Sequence, residues 1–361
     1  MVCGCHRRVG GCLDLAGEDQ EVDHRDQQQH GEEDELDRGR SLVPGSVSWI
    51  DGPAWVTDTA YWAEPSDSVS LEFLYILLQY ANLPSVIAQT GVPGLNRDRA
   101  YELTVPLPPL DEQRRIVDLI GALDDAIEAA AHTESAAWKV FDHLADSLAE
   151  PCLSDTGTTL SDLVSVFDCE HKTAPQAKVG AIGHSVGTKN VRDGVIHLEG
   201  AKPIDEPTLA EWTARAVPAE GDVILTREAP PGEAGLVTAD LGPVALGQRT
   251  VLLRPKDGTY GPFIWSILVS PMYRRWIDSR TMGQTVRRIN VKDIQSIPVD
   301  PPPLELQILN AAGMESALET PMRCREVLSR LRNLRANLLT ALLSGEHEIP
   351  QSYDELVEDA A

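Results

Sequence analysis

Val105-Pro106-Leu107-Pro108-Pro109-Leu110-Asp111-Glu112-Gln113-Arg114-Arg115-Ile116 decides how this chain is read, because a run of prolines that no helix tolerates gives way at once to a helical pattern. Downstream, Ile116, Ile120, Leu123, Ile127, Ala130, Glu134, Ala137, Phe141, Leu144 and Leu148 step by four and three without a slip. That is a heptad seam, interrupted only by Glu134. At about 1.5 Å per residue, a helix over Asp111 to Glu150 makes a rod of roughly 60 Å.

Working outward from this break, the same order of landmarks occurs twice. Gly52-Pro53 with Ala54-Trp55-Val56 and Glu64-Pro65 matches Gly242-Pro243 with Val244-Ala245-Leu246 and Arg254-Pro255. At the same offset, Phe73 to Leu78 matches Phe263 to Leu268. After a short insertion, Leu95-Asn96 matches Ile289-Asn290, Leu103 matches Ile297, Val105 matches Val299, and Pro108-Pro109-Leu110 matches Pro302-Pro303-Leu304. A duplicated unit, rather than one domain, follows. Alternating apolar residues around Val251-Leu252-Leu253 and Trp55 to Trp62 predict strands, and the Phe-led segments predict helices. The fold class is therefore α+β, with mixed strand and helix domains separated by long helices.

The second copy also ends in a helix, over 304–345. Leu328, Leu331, Leu334, Leu338 and Leu342 form its stripe, Gly345 suits its C-terminal cap, and Pro321 marks a kink or its true beginning. The second copy has some 80 residues, Thr158 to Leu241, before its Gly-Pro landmark, whereas the first has only 51. The organisation expected is an acidic leader over 1–44, disordered or misassigned, and a shortened first domain over 45–108. A spacer helix over 109–152, a second domain over 158–300, the second spacer helix and a loose acidic tail over 346–361 complete it.

The chain of 361 residues has a net charge of −25, which at first sight opposes a nucleic-acid partner. The charge is unevenly placed. Residues 158–300 hold 16 basic and 17 acidic side chains, and Pro271 to Lys292 carries six basic residues against Asp278 alone. No apolar run approaches the roughly 20 residues of a membrane span, and the start lacks the apolar core of a signal peptide. The six cysteines are scattered, so a reduced, cytoplasmic setting without disulfides is expected.

Cys3, Cys5, His6 and Cys12 lack the paired spacing of a zinc site, and Asp168, Glu170 and Lys172 lack the further acid of a metal-dependent nuclease. Asp300-Pro301-Pro302-Pro303 lacks the aromatic residue that an amino-methyltransferase stacks on a flipped base. There is no phosphate loop, dinucleotide fingerprint or serine elbow. No catalytic residue, metal or cofactor is assigned to this chain. What remains are donors suited to phosphates and base edges: Lys189, Asn190, Arg192, Arg227, Gln248, Arg249, Arg274, Arg275, Arg287, Arg288 and Lys292.

Taken together, the Val105 to Ile116 motif, Asn190-Val191-Arg192-Asp193-Gly194, Gly221-Asp222-Val223-Ile224-Leu225 with Arg227-Glu228, and Leu246-Gly247-Gln248-Arg249-Thr250 resemble the specificity subunit of type I restriction-modification enzymes. The resemblance covers about residues 45–345. It implies a non-catalytic subunit whose two target-recognition domains each read half of a bipartite site on double-stranded DNA. It also implies that the long helices pair as an antiparallel coiled coil, with Ile116, Ile120, Leu123, Ile127, Phe141, Leu144 and Leu148 facing Leu328, Leu331, Leu338 and Leu342. Methylation, with S-adenosylmethionine as cofactor, would belong to partner modification subunits, and cleavage to a restriction subunit where one is present.

Three departures qualify the resemblance. The first domain lacks its front portion, Asp58-Thr59 replaces Gln248-Arg249, and Glu305-Leu306-Gln307 replaces Glu-Gln-Arg-Arg at the second helix start. The second domain is therefore expected to bind DNA and the first weakly or not at all. Two other readings stay open: a degenerate copy that docks modification subunits without reading a full site, and a coiled-coil adaptor unrelated to DNA.

Overall fold

The computed structural model describes residues 44–50, 52, 60–87, 94–153, 157–170, 172–283 and 287–354. The cysteines at 3, 5 and 12 and the Asp58-Thr59 departure lie outside them. The chain divides into two compact units, Met1–Ala129 with Leu328–Ala361, and Ala130–Val327. Each long helix contributes one half to each unit.

In the first unit, α1 (Leu71–Tyr80) starts at Ser70, whose hydroxyl accepts from the Phe73 amide at 3.1 Å. The helix buries Phe73, Leu74, Ile76, Leu77 and Leu78. α2 (Arg97–Tyr101) is capped in the same way by Asn96. α3 (Leu110–Ala149) follows the proline break, as its heptads require. Gln113, fully buried in its first turn, accepts from the Ser70 amide at 3.0 Å and donates to the Ser68 and Pro108 carbonyls at 2.8 and 2.9 Å. This one side chain ties the break and the start of α3 to the cap of α1.

In the second unit, α4 (Leu160–Leu163) leads into β1 (Val164–Asp168), β2 (Gly183–Val186), β3 (Val191–Arg192), β4 (Val195–Ile196) and β5 (Lys202–Ile204). Next come α5 (Glu206–Trp212), β6 (Val223–Thr226), β7 (Ala234–Leu236), β8 (Val244–Leu246) and β9 (Thr250–Pro255). α6 (Gly261–Leu268), α7 (Pro271–Ser279), α8 (Val291–Gln295) and α9 (Leu304–Ser344) complete the chain order.

A four-stranded antiparallel sheet, in the order β1-β9-β6-β7, lies beside a three-stranded sheet, β5-β2-β8, in which β2 and β8 run parallel. All four residues of β6 and all eight of α6 are buried, in keeping with sequences that are apolar apart from Thr226 and Ser266. Asp193 and Gly194, both at positive φ (57° and 79°), make the two-residue turn of the β3–β4 hairpin. Trp265 of α6 donates to the Gly194 carbonyl at 2.8 Å and so fastens that hairpin to the core.

The duplication survives in the structure. Phe73–Leu78 and Phe263–Leu268 are both buried helices, and Asn96 and Asn290 stand at the N-termini of α2 and α8. Gln307 in the first turn of α9 accepts from the Tyr260 amide at 3.0 Å and donates to the Pro302 carbonyl at 2.9 Å. It repeats the role of Gln113. The altered wording of the second helix start therefore conceals an equivalent anchor, and that departure has no structural counterpart.

Within each unit the helix halves run antiparallel. In the first, Ile116 and Ile120 share a core with Leu339, Leu342 and Leu343, and Arg335 reaches Asp124 at 2.9 Å. In the second, Phe141, Ala145 and Ala149 share a core with Met314, and Arg325 reaches Glu134 at 2.7 Å. The break in the seam at Glu134 is thus filled by a matching cation. Leu123, Ile127, Leu144, Leu148, Leu331 and Leu338 are half-buried, and Leu328 is buried. The α+β class with paired long helices is borne out.

Three expectations need correction. Leu334 is half exposed, because Arg335 occupies the inward position of that turn. Pro321 does not begin the second helix: α9 starts at Leu304 and runs through the proline. A missing amide bond there costs about 3 kcal/mol, and burial of the ring within the paired stretch offsets it. The segment after the Gly345 cap (φ 75°) is not wholly loose either. Ile349 is 8 % exposed in the first unit's core, Tyr353 packs beside it, and Asp354 accepts from Arg115 at 3.2 Å.

Candidate nucleic-acid interface

β1, β6, β2 and β8 all end, and β9 begins, at the same rim of the second unit. Asp168 pairs with Val251 and Thr226 with Thr250 at the end of one sheet, while Val186 and Leu246 are partners at the end of the other. The loops leaving these ends meet. The Gly247 amide donates to the Val186 carbonyl at 2.7 Å, and a Cβ on Gly247 would lie 2.7 Å from the Gly187 nitrogen. Only glycine lets the two loops touch backbone to backbone. The Arg227 amide donates to the Arg249 carbonyl at 2.7 Å, and the Ile289 amide to the Arg227 carbonyl at 2.9 Å. The 281–290 loop joins the rim through a bridge between Glu228 and Arg288.

This architecture gathers Lys189, Gln248, Arg249, Arg287 and Arg288 around one edge although they span a hundred positions in sequence. Lys189, Arg249, Arg287 and Arg288 are exposed. Lys292 is exposed in α8, just after this loop, and Arg192 is exposed on the hairpin, donating to the Lys189 carbonyl at 2.8 Å. Among the described residues, Lys189, Arg192, Arg288 and Lys292 form no ion pair.

Three other arginines are held by acids. Arg249 pairs with Glu228 at 3.0 Å, Arg274 with Glu233 at 3.2 Å and Arg287 with Asp278 at 3.3 Å. Arg287 also donates to the Thr281 hydroxyl and the Asp278 carbonyl. Lys172 donates to Glu211, which holds its ammonium above the usual lysine range. Arg275 belongs elsewhere, on the side of α7 that faces Asp146 of α3, at 3.2 Å.

Two sequence candidates are turned inward. Arg227 is mostly buried and forms a 2.8 Å ion pair with Asp168, with its Nε directed at the Ile289 carbonyl. This pair also accounts for Asp168 without any metal chemistry. Asn190 is 6 % exposed. Its amide oxygen accepts from the Gly187 N–H, and its nitrogen donates to the His197 and Glu199 carbonyls. Both side chains build the rim: Asn190 spends both amide hydrogens on carbonyls, and Arg227 turns its Nε and Nη1 inward. Burial of this kind depends on where loops return, which local sequence does not encode. What the sequence reading missed is the pairing of Glu228, Glu233 and Asp278 with arginines 21, 41 and 9 positions away.

A pocket of about 540 Å³ opens beside this turn, lined by Ala229, Pro230, Pro231, Glu233, Arg274, Asp278 and Arg287. Among the described residues no group of histidines, cysteines and carboxylates could hold a metal ion, and no helix is long and apolar enough to cross a membrane.

The second unit thus combines an antiparallel helical pair, a cap-and-proline anchor repeated from the first unit and an arginine-bearing rim. Residues 40–135 match the family model of the type I restriction modification DNA specificity domain, and the resemblance read from the sequence is borne out. Similar solved structures include the HsdS subunit from Thermoanaerobacter tengcongensis, at 18% identity over 78% of this chain and 72% of that one, with a TM-score of 0.37. Another is the type I restriction-modification S subunit from M. genitalium, at 15% identity over 76% and 73%, with a TM-score of 0.46. A chain from a type I R-M system studied for complex assembly and conformational transition matches at 20% identity over 77% and 72%, with a TM-score of 0.43.

Proposed function

We propose that this chain is the non-catalytic sequence-recognition subunit of a type I restriction-modification complex, and that its second unit presents the rim around Arg249 and Arg288 to double-stranded DNA. The specificity-domain match over residues 40–135 carries the reading. The Gln113 and Gln307 anchors support its extension to the second copy, because they place the same construction at both helix starts. In this reading each copy contributes to one half of a bipartite site, with the first copy the weaker contributor. The paired helices set the spacing and offer surfaces for modification subunits. S-adenosylmethionine would be bound by those partners, in the cytoplasm, and methyltransfer or cleavage would be their chemistry.

Arg and Lys side chains that neutralise phosphates displace condensed counterions, so binding must weaken as salt rises, with a slope of about −0.9 per phosphate. The full chain, alone and with its modification subunits, is titrated against duplex DNA from 50 to 200 mM salt. Arg288→Ala should weaken binding and lower the slope by about one phosphate equivalent. A flat salt response in both preparations would favour the adaptor reading. Binding to modification subunits without any DNA affinity would favour the degenerate copy.

A further inference from the structure

Provided that the rim faces DNA, as proposed above, we infer that Glu228, Glu233 and Asp278 are built-in competitors for phosphate, which keep the rim's arginines from gripping DNA of the wrong sequence. Each carboxylate holds one arginine: Arg249 to Glu228 at 3.0 Å, Arg274 to Glu233 at 3.2 Å, Arg287 to Asp278 at 3.3 Å. The three arginine side chains are 53, 37 and 52 % exposed, so solvent and an incoming polyanion both reach them. Two of the pairs line the same pocket beside Pro230 and Pro231. Asp142 of α3 also acts on the Arg274 guanidinium and adds to the negative field there.

Ion pairs this exposed contribute little to folding, so stability does not explain three of them around one turn. Their effect on binding is larger. An arginine that takes a DNA phosphate must first leave its carboxylate, and it then strands that carboxylate beside a polyanion. The exchange swaps one anion for another and adds a like-charge repulsion, so sequence-independent affinity stays low. A cognate site changes this balance. A guanine edge accepts the arginine fork, and the exocyclic amino group of a cytosine satisfies the released carboxylate. Discrimination then comes from a cost imposed on wrong sequences as well as from contacts made to the right one.

The test uses the full chain and a fluorescent duplex of random sequence, titrated between 50 and 200 mM potassium chloride. Glu228→Gln, Glu233→Gln and Asp278→Asn are made singly and together, since the amides keep the shape and remove the charge. Each arginine released to a phosphate should steepen the salt slope by about 0.9, which makes affinity fall about 3.5-fold further across that range. The triple variant should therefore bind random DNA more tightly at 50 mM and lose that advantage fastest. Equal urea midpoints exclude a folding effect. An unchanged slope in the triple variant, with Arg288→Ala still weakening binding, overturns the inference and leaves the rim as the DNA surface. If Arg288→Ala is also silent, the rim reading has failed and the inference falls with it.

Discussion

Replacing Gln113 by Leu removes three hydrogen bonds at once while keeping nearly the same volume. The Ser70 amide and the Ser68 and Pro108 carbonyls, all within 3.0 Å of the glutamine amide, lose their partner. A buried polar group left unpaired costs about 1–3 kcal/mol. These three are only partly buried, so about 1 kcal/mol each is the fitting value, and the first unit should lose about 3 kcal/mol in all. Gln307→Leu strands two groups, the Tyr260 amide and the Pro302 carbonyl, and should cost the second unit about 2 kcal/mol. With a urea slope near 2 kcal/mol/M, the Gln113 variant should unfold about 1.5 M earlier than the parent. Urea unfolding read by proteolysis resolves the units, because cleavage near Pro106 reports the first and cleavage near Pro301 the second. Gln113→Glu sharpens the test: a carboxylate still accepts from Ser70 but cannot donate, so it should fare no better than leucine. A midpoint within about 0.3 M of the parent for both variants would refute the anchor and with it the structural equivalence of the two helix starts.

Three further outcomes follow from the packing. Ile120→Asp puts an unpaired charge into a fully buried position of the first unit's core and should cost about 3–5 kcal/mol; unchanged thermal unfolding would discredit the seam. Burial pushes the Cys152 thiol up to about 11, with Asp300 adding to the rise. At pH 8 Cys152 should thus resist alkylation in the native state while Cys324 is modified first, as peptide mass spectrometry would show; equal labelling rates contradict the burial. The Thr159 amide and hydroxyl hold the Asp162 carboxyl below its ordinary range. A depressed folded value stabilises above the unfolded pKa near 4 and is lost as pH falls through the folded one. Asp162→Asn should therefore flatten the decline in thermal stability below pH 4, and an unaltered acid limb would remove Asp162 from that role.

The duplication was legible because it is written in residues whose job is local. Phenylalanines that open buried helices, asparagines that stand at helix starts and prolines that stop helices keep their meaning wherever the chain goes. The heptad seam was legible for the same reason, since period and burial coincide along one helix. Gln113 and Gln307 escaped because their neighbours differ: Glu-Gln-Arg-Arg and Glu-Leu-Gln look unlike until aligned through the prolines. The internal partners of Arg227 and Asn190 were not legible, because Asp168, Ile289, His197 and Glu199 arrive from other strands and turns. Arg335 and Arg325 show the converse. A charge inside an apolar stripe reads as a flaw until the facing helix supplies Asp124 or Glu134.

Ile349, Tyr353 and Asp354 close over the opening turns of α3, whose Ile116 and Ile120 belong to the same core. A shortened version ending at the Gly345 cap would leave that surface wet and Arg115 without its carboxylate. Anyone preparing this molecule for crystals or pull-downs should therefore keep Ile349 to Asp354 and attach any handle after them, since a stop placed for tidiness would loosen the start of α3, more than two hundred positions earlier in the sequence.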